Sequence, residues 1–259
     1  MNDTTAMWTD CLAGRLAVVT GAGQGNGRAI AIGLARAGAR VMVTDLNVDS
    51  ADQTAALIRA EGGKAWSQAL DVTDATACKA LATHVAAQYG RVDLLVNNAG
   101  IIIRESSAHP DAAAHWRRTI DVNLHGTFNV TQALLDALKA GGGAIVNLSS
   151  IAATAGQGGS LGYSPSKAAI DLYTRSLAVE LAPFGVRVNA LAPGVIATPM
   201  TESTRSDPSR LAGFLRRTPM GRVGQPEELV GPVVFLACDA LSGYITGVSL
   251  PVDGGFLAG

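Results

Sequence analysis

The chain has 259 residues, is 48% apolar and glycine-rich (30 glycines), and carries a formal net charge of −1. That is length enough for a full buried core, and the lack of any basic run or stripe excludes a nucleic-acid partner. The cysteines (Cys11, Cys78, Cys238) are odd in number and scattered, which excludes a disulfide framework or a zinc site, and no window of about 18 apolar residues offers a membrane span.

In chain order, apolar strand-like runs alternate with helical patterns. Leu16–Thr20 reads as a strand, Arg28–Ala37 as a helix closed by Gly38, and Arg40–Thr44 as the next strand. Ser50–Glu61 follows as a helix stopped by Gly62 and Gly63, then a weaker strand over Ala65–Leu70 and a helix over Ala75–Tyr89. Asp93–Val96 is a short apolar strand, and a long helix runs from about Ala112 to Lys139. Strands over Ala144–Leu148, Val186–Leu191 and Val248–Val252 complete the set, with helices over Tyr163–Leu181 and Pro226–Cys238 between them. Strands apolar on both faces and separated by helices predict one α/β domain: a doubly wound, mainly parallel seven-stranded sheet with helices on both sides. Residues 1–13 read as an N-terminal extension, polar and without an apolar leader core, so a cytoplasmic protein is expected. The four histidines show no metal-ligand spacing, and no metal is expected.

Two stretches carry chemistry. The turn after the first strand, Thr20-Gly21-Ala22-Gly23-Gln24-Gly25-Asn26-Gly27, leads into a helix, the setting in which glycines let backbone approach a pyrophosphate at the positive helix end. A literal G-x-G-x-x-G fails because Asn26 stands where the third glycine belongs; the spacing that fits is Gly21, Gly25, Gly27. Asp45, at the end of the second strand and eighteen residues past Gly27, can accept from both adenosine-ribose hydroxyls and repels a 2′-phosphate. Gln24, Leu46 and Asn47 offer no compensating cation, so NAD is expected in preference to NADP. A turn or helix-cap aspartate is the plainer use of the same residue. The second stretch is Tyr163-Ser164-Pro165-Ser166-Lys167, with Ser150 thirteen residues before the tyrosine. Phenol and ammonium four residues apart share a helix face, although such pairs are also common on ordinary helix surfaces. A nearby cation favours the phenolate, and a serine hydroxyl can hold the oxygen that exchanges the proton.

These motifs resemble the short-chain dehydrogenase/reductase family, in its single-domain form, from about Gly14 to Gly255. The resemblance rests on the glycine turn, Asp71-Val72, Asn97-Asn98-Ala99-Gly100, Asn123, Ser150, Tyr163-x-x-x-Lys167, Pro193-Gly194 with Thr198, and the closing Val252-Asp253-Gly254-Gly255. It implies a Rossmann fold, a homotetramer, and Tyr163 as general acid or base. It further implies Lys167 lowering the tyrosine pKa and binding the nicotinamide ribose, and Ser150 holding the substrate oxygen. Asn123 would anchor a water that leads to Lys167; a buried amide tying helix to sheet is its simpler role. Gly21, Gln24, Gly25, Asn26, Gly27, Asp45, Asp71, Val72, Asn98, Ala99 and Gly100 would line the cofactor. Pro193, Gly194, Ile196 and Thr198 would hold its nicotinamide end.

The resemblance implies a small-molecule alcohol or ketone as substrate. Residues 198–220 are placed to form a lid, with Arg205, Arg210, Arg216 and Arg217 as either pocket or solvated groups. By resemblance, Arg104 can pair with a substrate carboxylate; a surface salt bridge to Glu105 or Asp111 is the alternative. Ala152, Gln157 and Ser160 add small or polar surface, which favours a polyol, sugar or sugar acid. A 3-oxoacyl thioester reductase is a second reading, and a non-catalytic dinucleotide-binding protein a third, opposed by the complete Asn123, Ser150, Tyr163, Lys167 set.

Overall fold

A computed structural model describes residues 10–259; the first nine residues of the expected N-terminal extension lie outside the described residues. Strand β1 (Leu16–Thr20) is buried along its length. Its Ala17 and Val19 join one apolar layer, and Leu16 and Val18 the other, the two-residue period of a strand covered on both faces. There follow α1 (Gly25–Arg36), β2 (Arg40–Asp45), α2 (Val48–Ala60), β3 (Lys64–Ala69), α3 (Ala75–Tyr89) and β4 (Leu94–Asn97). Next come α4 (Ala112–Ile120), a five-residue π turn (Asp121–His125), α5 (Gly126–Gly141), β5 (Ala144–Leu148), α6 (Tyr163–Leu181) and β6 (Arg187–Pro193). The last part holds α7 (Glu202–Arg205), α8 (Pro208–Leu215), α9 (Val230–Ala237), α10 (Asp239–Ser242) and β7 (Ser249–Val252).

The seven strands are all parallel, in the order β3-β2-β1-β4-β5-β6-β7. The chain therefore starts in the middle, builds to one edge, and returns to β4 beside β1. Connections leave β1 and β4 in opposite directions, which opens a crevice beyond their C-terminal ends. Ile30, Leu34, Ile58 and Val233, from α1, α2 and α9, fill one layer. Leu81, Leu134, Leu138, Leu177 and Leu181, from α3, α5 and α6, fill the other. The sheet edges are less covered, and Pro251 sits exposed on edge strand β7, where no further ladder needs its missing N–H.

Two expectations change. The long helix expected over 112–139 is interrupted by the π turn, which contains Asn123. The segment 198–220 is more ordered than its weak periodicity suggests, since it holds α7 and α8. Among the described residues, no helix is long and apolar enough to cross a membrane.

Candidate active site

The glycine turn is shaped by close approach as much as by backbone freedom. Gly21 and Gly25 have φ of +60° and +53°, a region costly for side-chain-bearing residues. Gly27 has no such angle, but a Cβ there would lie 2.2 Å from Gly21 O and 2.5 Å from Asn98 Nδ2. Helix α1 starts without a side-chain cap and without an acidic residue in its first turn. Its first N–H groups are thus left to an anion.

A cleft of ≈ 340 Å³ beside this turn is lined by Gly21, Gln24, Gly25, Asn26, Asp45, Asp71, Val72, Asn98, Ala99, Gly100 and Thr198, all expected there. Arg118 of α4 joins them, a residue that sequence reading missed because only the fold brings α4 over the crevice. Asn26 Oδ1 is buried with no partner, at the boundary of this cleft and the reactive pocket. An uncapped helix start, a glycine cradle and an orphaned amide oxygen fit a dinucleotide. Asp45 receives hydrogen bonds from Gly23 N (2.8 Å) and Asn47 N (3.0 Å), which fix its carboxylate at the tip of β2. Asn98 faces inward instead: its side chain donates to Thr20 O and Gly21 O, both at 2.9 Å, and so ties the β1 and β4 turns together.

The neighbouring pocket gathers Ser150, Tyr163, Lys167, Pro193, Gly194, Ile196 and Thr198. Helix α6 begins at Tyr163, so Pro165 falls in its first turn, where its missing N–H costs no helical bond. Burial raises the Tyr163 pKa; a hydrogen bond with Ser150 and the positive charge of Arg104 oppose that rise. Burial also lowers Lys167, to about 8, with Asp171 opposing. Lys167 Nζ donates to Leu148 O at 2.6 Å and lies 5.8 Å from the tyrosine ring centre.

Asn123 is fully buried, with its amide bonded to a loop and a helix rather than to the sheet. Its Oδ1 accepts from Ile101 N (2.7 Å), and its Nδ2 donates to Ile101 O and to Ser166 Oγ, both at 3.0 Å. Ser166 Oγ in turn donates to Tyr163 O at 2.7 Å. One amide thus fastens the loop after β4 to the start of α6. Ser166 was missed, although its place three residues after Tyr163 was the available signal.

Arg104 and Gln157 line a small pocket with Ser150, Tyr163, Thr204 and Phe214. Arg104 pairs with neither Glu105 nor Asp111, against the surface alternative. Its Nη2 donates to Thr204 Oγ1 at 2.8 Å, and its Nε is buried with no partner. Burial and the charge of Arg210 lower its pKa, and Tyr163 opposes them. Ala152 and Ser160 are buried and are not among the residues lining this pocket. Ala152 N donates to Ser150 Oγ at 3.1 Å, while Ser160 Oγ has no partner.

The arginines of segment 198–220 bond mostly within that segment. Arg205 bonds Thr198 O and Glu202, Arg210 pairs with Asp207, and Arg217 stacks on Phe256.

A family model described as enoyl-(acyl carrier protein) reductase matches residues 21–257. The chain is 42% identical to cis-4-hydroxycyclohexanecarboxylate dehydrogenase of Sinomonas cyclohexanicum, over 96% of this chain and 99% of that protein. It is 39% identical to 3-oxoacyl-[acyl-carrier-protein] reductase FabG of Thermotoga maritima, over 95% and 99% of the two chains. Among solved structures, a gluconate 5-dehydrogenase from Burkholderia cenocepacia J2315, in complex with NADP and tartrate, superposes with a TM-score of 0.91. That structure shares 35% identity and covers 98% of this chain and 99% of its own.

Proposed function

Because the chain belongs to the short-chain dehydrogenase/reductase family, we propose that it oxidises a secondary alcohol of a small polyol, sugar or sugar acid to the ketone, and catalyses the reverse. NAD, bound along the glycine turn, supplies the hydride acceptor. Tyr163 takes the hydroxyl proton in oxidation and returns it in reduction. Ser150 holds the reacting oxygen. Lys167, fixed to Leu148 O, would bind the nicotinamide ribose. Asn123 is a positioning residue that keeps the Ile101 loop against α6.

The observation that carries the substrate class is Arg104, part-buried beside Ser150 and Tyr163 with Nε unpartnered. A buried guanidinium N–H without a partner is costly, and a substrate carboxylate or a row of hydroxyls satisfies it. The relatives named for a hydroxycyclohexanecarboxylate and for gluconate act on molecules of that kind. Asp45 supports NAD, because a 2′-phosphate at the tip of β2 meets its charge. Arg28, at the start of α1, is committed to Gly23 O and to Thr54 Oγ1. Assembly into a tetramer is proposed through the outer faces of α5 and α6, where Phe128, Leu172 and Val179 are exposed; Leu134 and Leu177 belong to the core.

The second reading, a 3-oxoacyl thioester reductase, is favoured by the similarity to FabG. The two are separated by steady-state turnover on sugar acids, polyols, neutral secondary alcohols and 3-hydroxyacyl thioesters, with NAD and NADP, in parent and Arg104→Ala. We expect turnover of polyols or sugar acids with NAD, and in the variant a further loss of about 10–100-fold on sugar acids beyond any change shared by all substrates, the value of a charged hydrogen bond. An equal loss on every substrate removes the carboxylate contact. Preference for 3-hydroxyacyl thioesters with NADP establishes the second reading.

A further inference from the structure

The loop between β4 and α4 holds a second cluster that the reaction does not use. Glu105, its side chain only 5% exposed, hydrogen-bonds through Oε2 to Nδ1 of His115 on α4. The same oxygen lies 3.8 Å from Nδ1 of His109. The two imidazole rings are 5.4 Å apart, centre to centre, and one ligand atom from each of the three side chains lies within 4.8 Å of the others. Among the described residues, no lysine or arginine comes within ion-pairing distance of Glu105; adjacent Arg104 turns to Thr204 instead. An enclosed carboxylate is therefore faced by two imidazoles rather than by a fixed cation.

We propose that Glu105, His109 and His115 bind one divalent transition-metal ion of the zinc type. Two imidazoles and a carboxylate suit such an ion and leave an open coordination position. Magnesium, which prefers oxygen ligands, is disfavoured. Binding replaces the Glu105–His115 hydrogen bond, with the His115 ring proton carried on Nε2 so that Nδ1 can ligate, and takes the Nδ1 lone pair of His109 that now accepts from Asp111 N at 3.1 Å. The backbone is already pinned for this: Glu105 N donates to Gly159 O at 2.9 Å. Two ligands come from the loop and one from the helix, so the ion clips the loop to α4 and steadies Arg104, the residue before Glu105. The site is separate from the reaction centre and independent of which substrate the enzyme takes.

The test uses untagged full-length protein stripped with chelator. Zinc is titrated by calorimetry, cobalt by its visible absorption, and magnesium serves as the contrasting ion. We expect one zinc per chain, tetrahedral-type cobalt bands, a raised thermal midpoint and no magnesium binding. His115→Ala and Glu105→Gln each weaken zinc by about tenfold or more, since even outer-shell changes cost that much. His84→Ala, on α3, leaves it unchanged. His109→Gln, on the exposed part of the loop, provides a variant that folding does not depend on. Absence of zinc heat and cobalt bands in the parent overturns the proposal, as does zinc affinity unchanged in all three ligand variants.

Discussion

The two walls of the cleft are made of different material. The β1–α1 wall is backbone: glycines pressed against carbonyls and amides, and an uncapped helix start. The β5–α6 wall is side chain: buried Ser150 and Lys167 and part-buried Tyr163, the tyrosine and lysine displaced from their ordinary acidities, with Arg104 reaching in from the β4 loop. The first wall recognises a shape and is sensitive to added volume. The second, in the proposed reaction, manages a proton and is sensitive to charge. A substitution that adds a methyl group should therefore damage one wall, and one that removes a charge or hydroxyl the other.

The largest expected effect tests the second wall. Tyr163→Phe keeps the ring and loses the proton, so turnover should fall by about 10²–10⁴-fold while fluorescence titration shows NADH affinity nearly intact. Loss of cofactor binding to the same degree would erase the distinction between the walls.

Lys167 gives the next effect, read as stability. Its pKa falls from 10.5 unfolded to about 8 folded, so below pH 8 the folded protein bears a buried ammonium at a cost of about 3 kcal/mol. Between pH 8 and 10.5 the unfolded chain binds the extra proton, and stability rises with pH. Denaturant unfolding of the parent should accordingly gain on Lys167→Met across that window, and parallel curves would refute the assignment.

Gly27→Ala probes the first wall. Its Cβ meets Gly21 O and Asn98 Nδ2, an overpacking that costs about 1–3 kcal/mol, read as weakened NADH binding with the pH dependence of turnover unchanged. The smallest effect belongs to Arg104→Gln: without its charge the Tyr163 pKa climbs further, and the pH profile of alcohol oxidation moves to higher pH. A profile that stays in place would mean that Arg104 does not act on the phenol.

Much of this was legible in the sequence where its signal is local. The strands of the buried sheet announce themselves as short apolar runs, and the ends of β1 and α3 and the start of α6 fall where glycine, proline and periodicity put them. The turn after β1 and the Tyr163–Lys167 spacing are local too. What the sequence hid depends on pairs far apart along the chain. Arg104 and Thr204 are separated by 100 residues, so nothing in the β4 loop betrays where its guanidinium turns. The buried chain of Asn97, Asn147, Thr131 and Thr174, which cross-braces β4 and β5 to α5 and α6, reads in sequence as polar residues inside otherwise apolar elements. Glu105, His109 and His115 sit across a loop and a helix, where no single period aligns them.

The π turn at Asp121–His125 sets a limit of another kind. Such a turn holds one residue more than an α-turn, and each residue rotates a helix by about 100°. Removing a single residue there would let α4 and α5 run on as one regular helix. It would also swing either Asn123 away from Ile101 and Ser166, or Val130 and Leu134 out of the core they fill. This stretch should therefore accept many changes of residue type on its outer face yet reject any change of length, so a deletion scan across it would find its count of residues more tightly constrained than their identity.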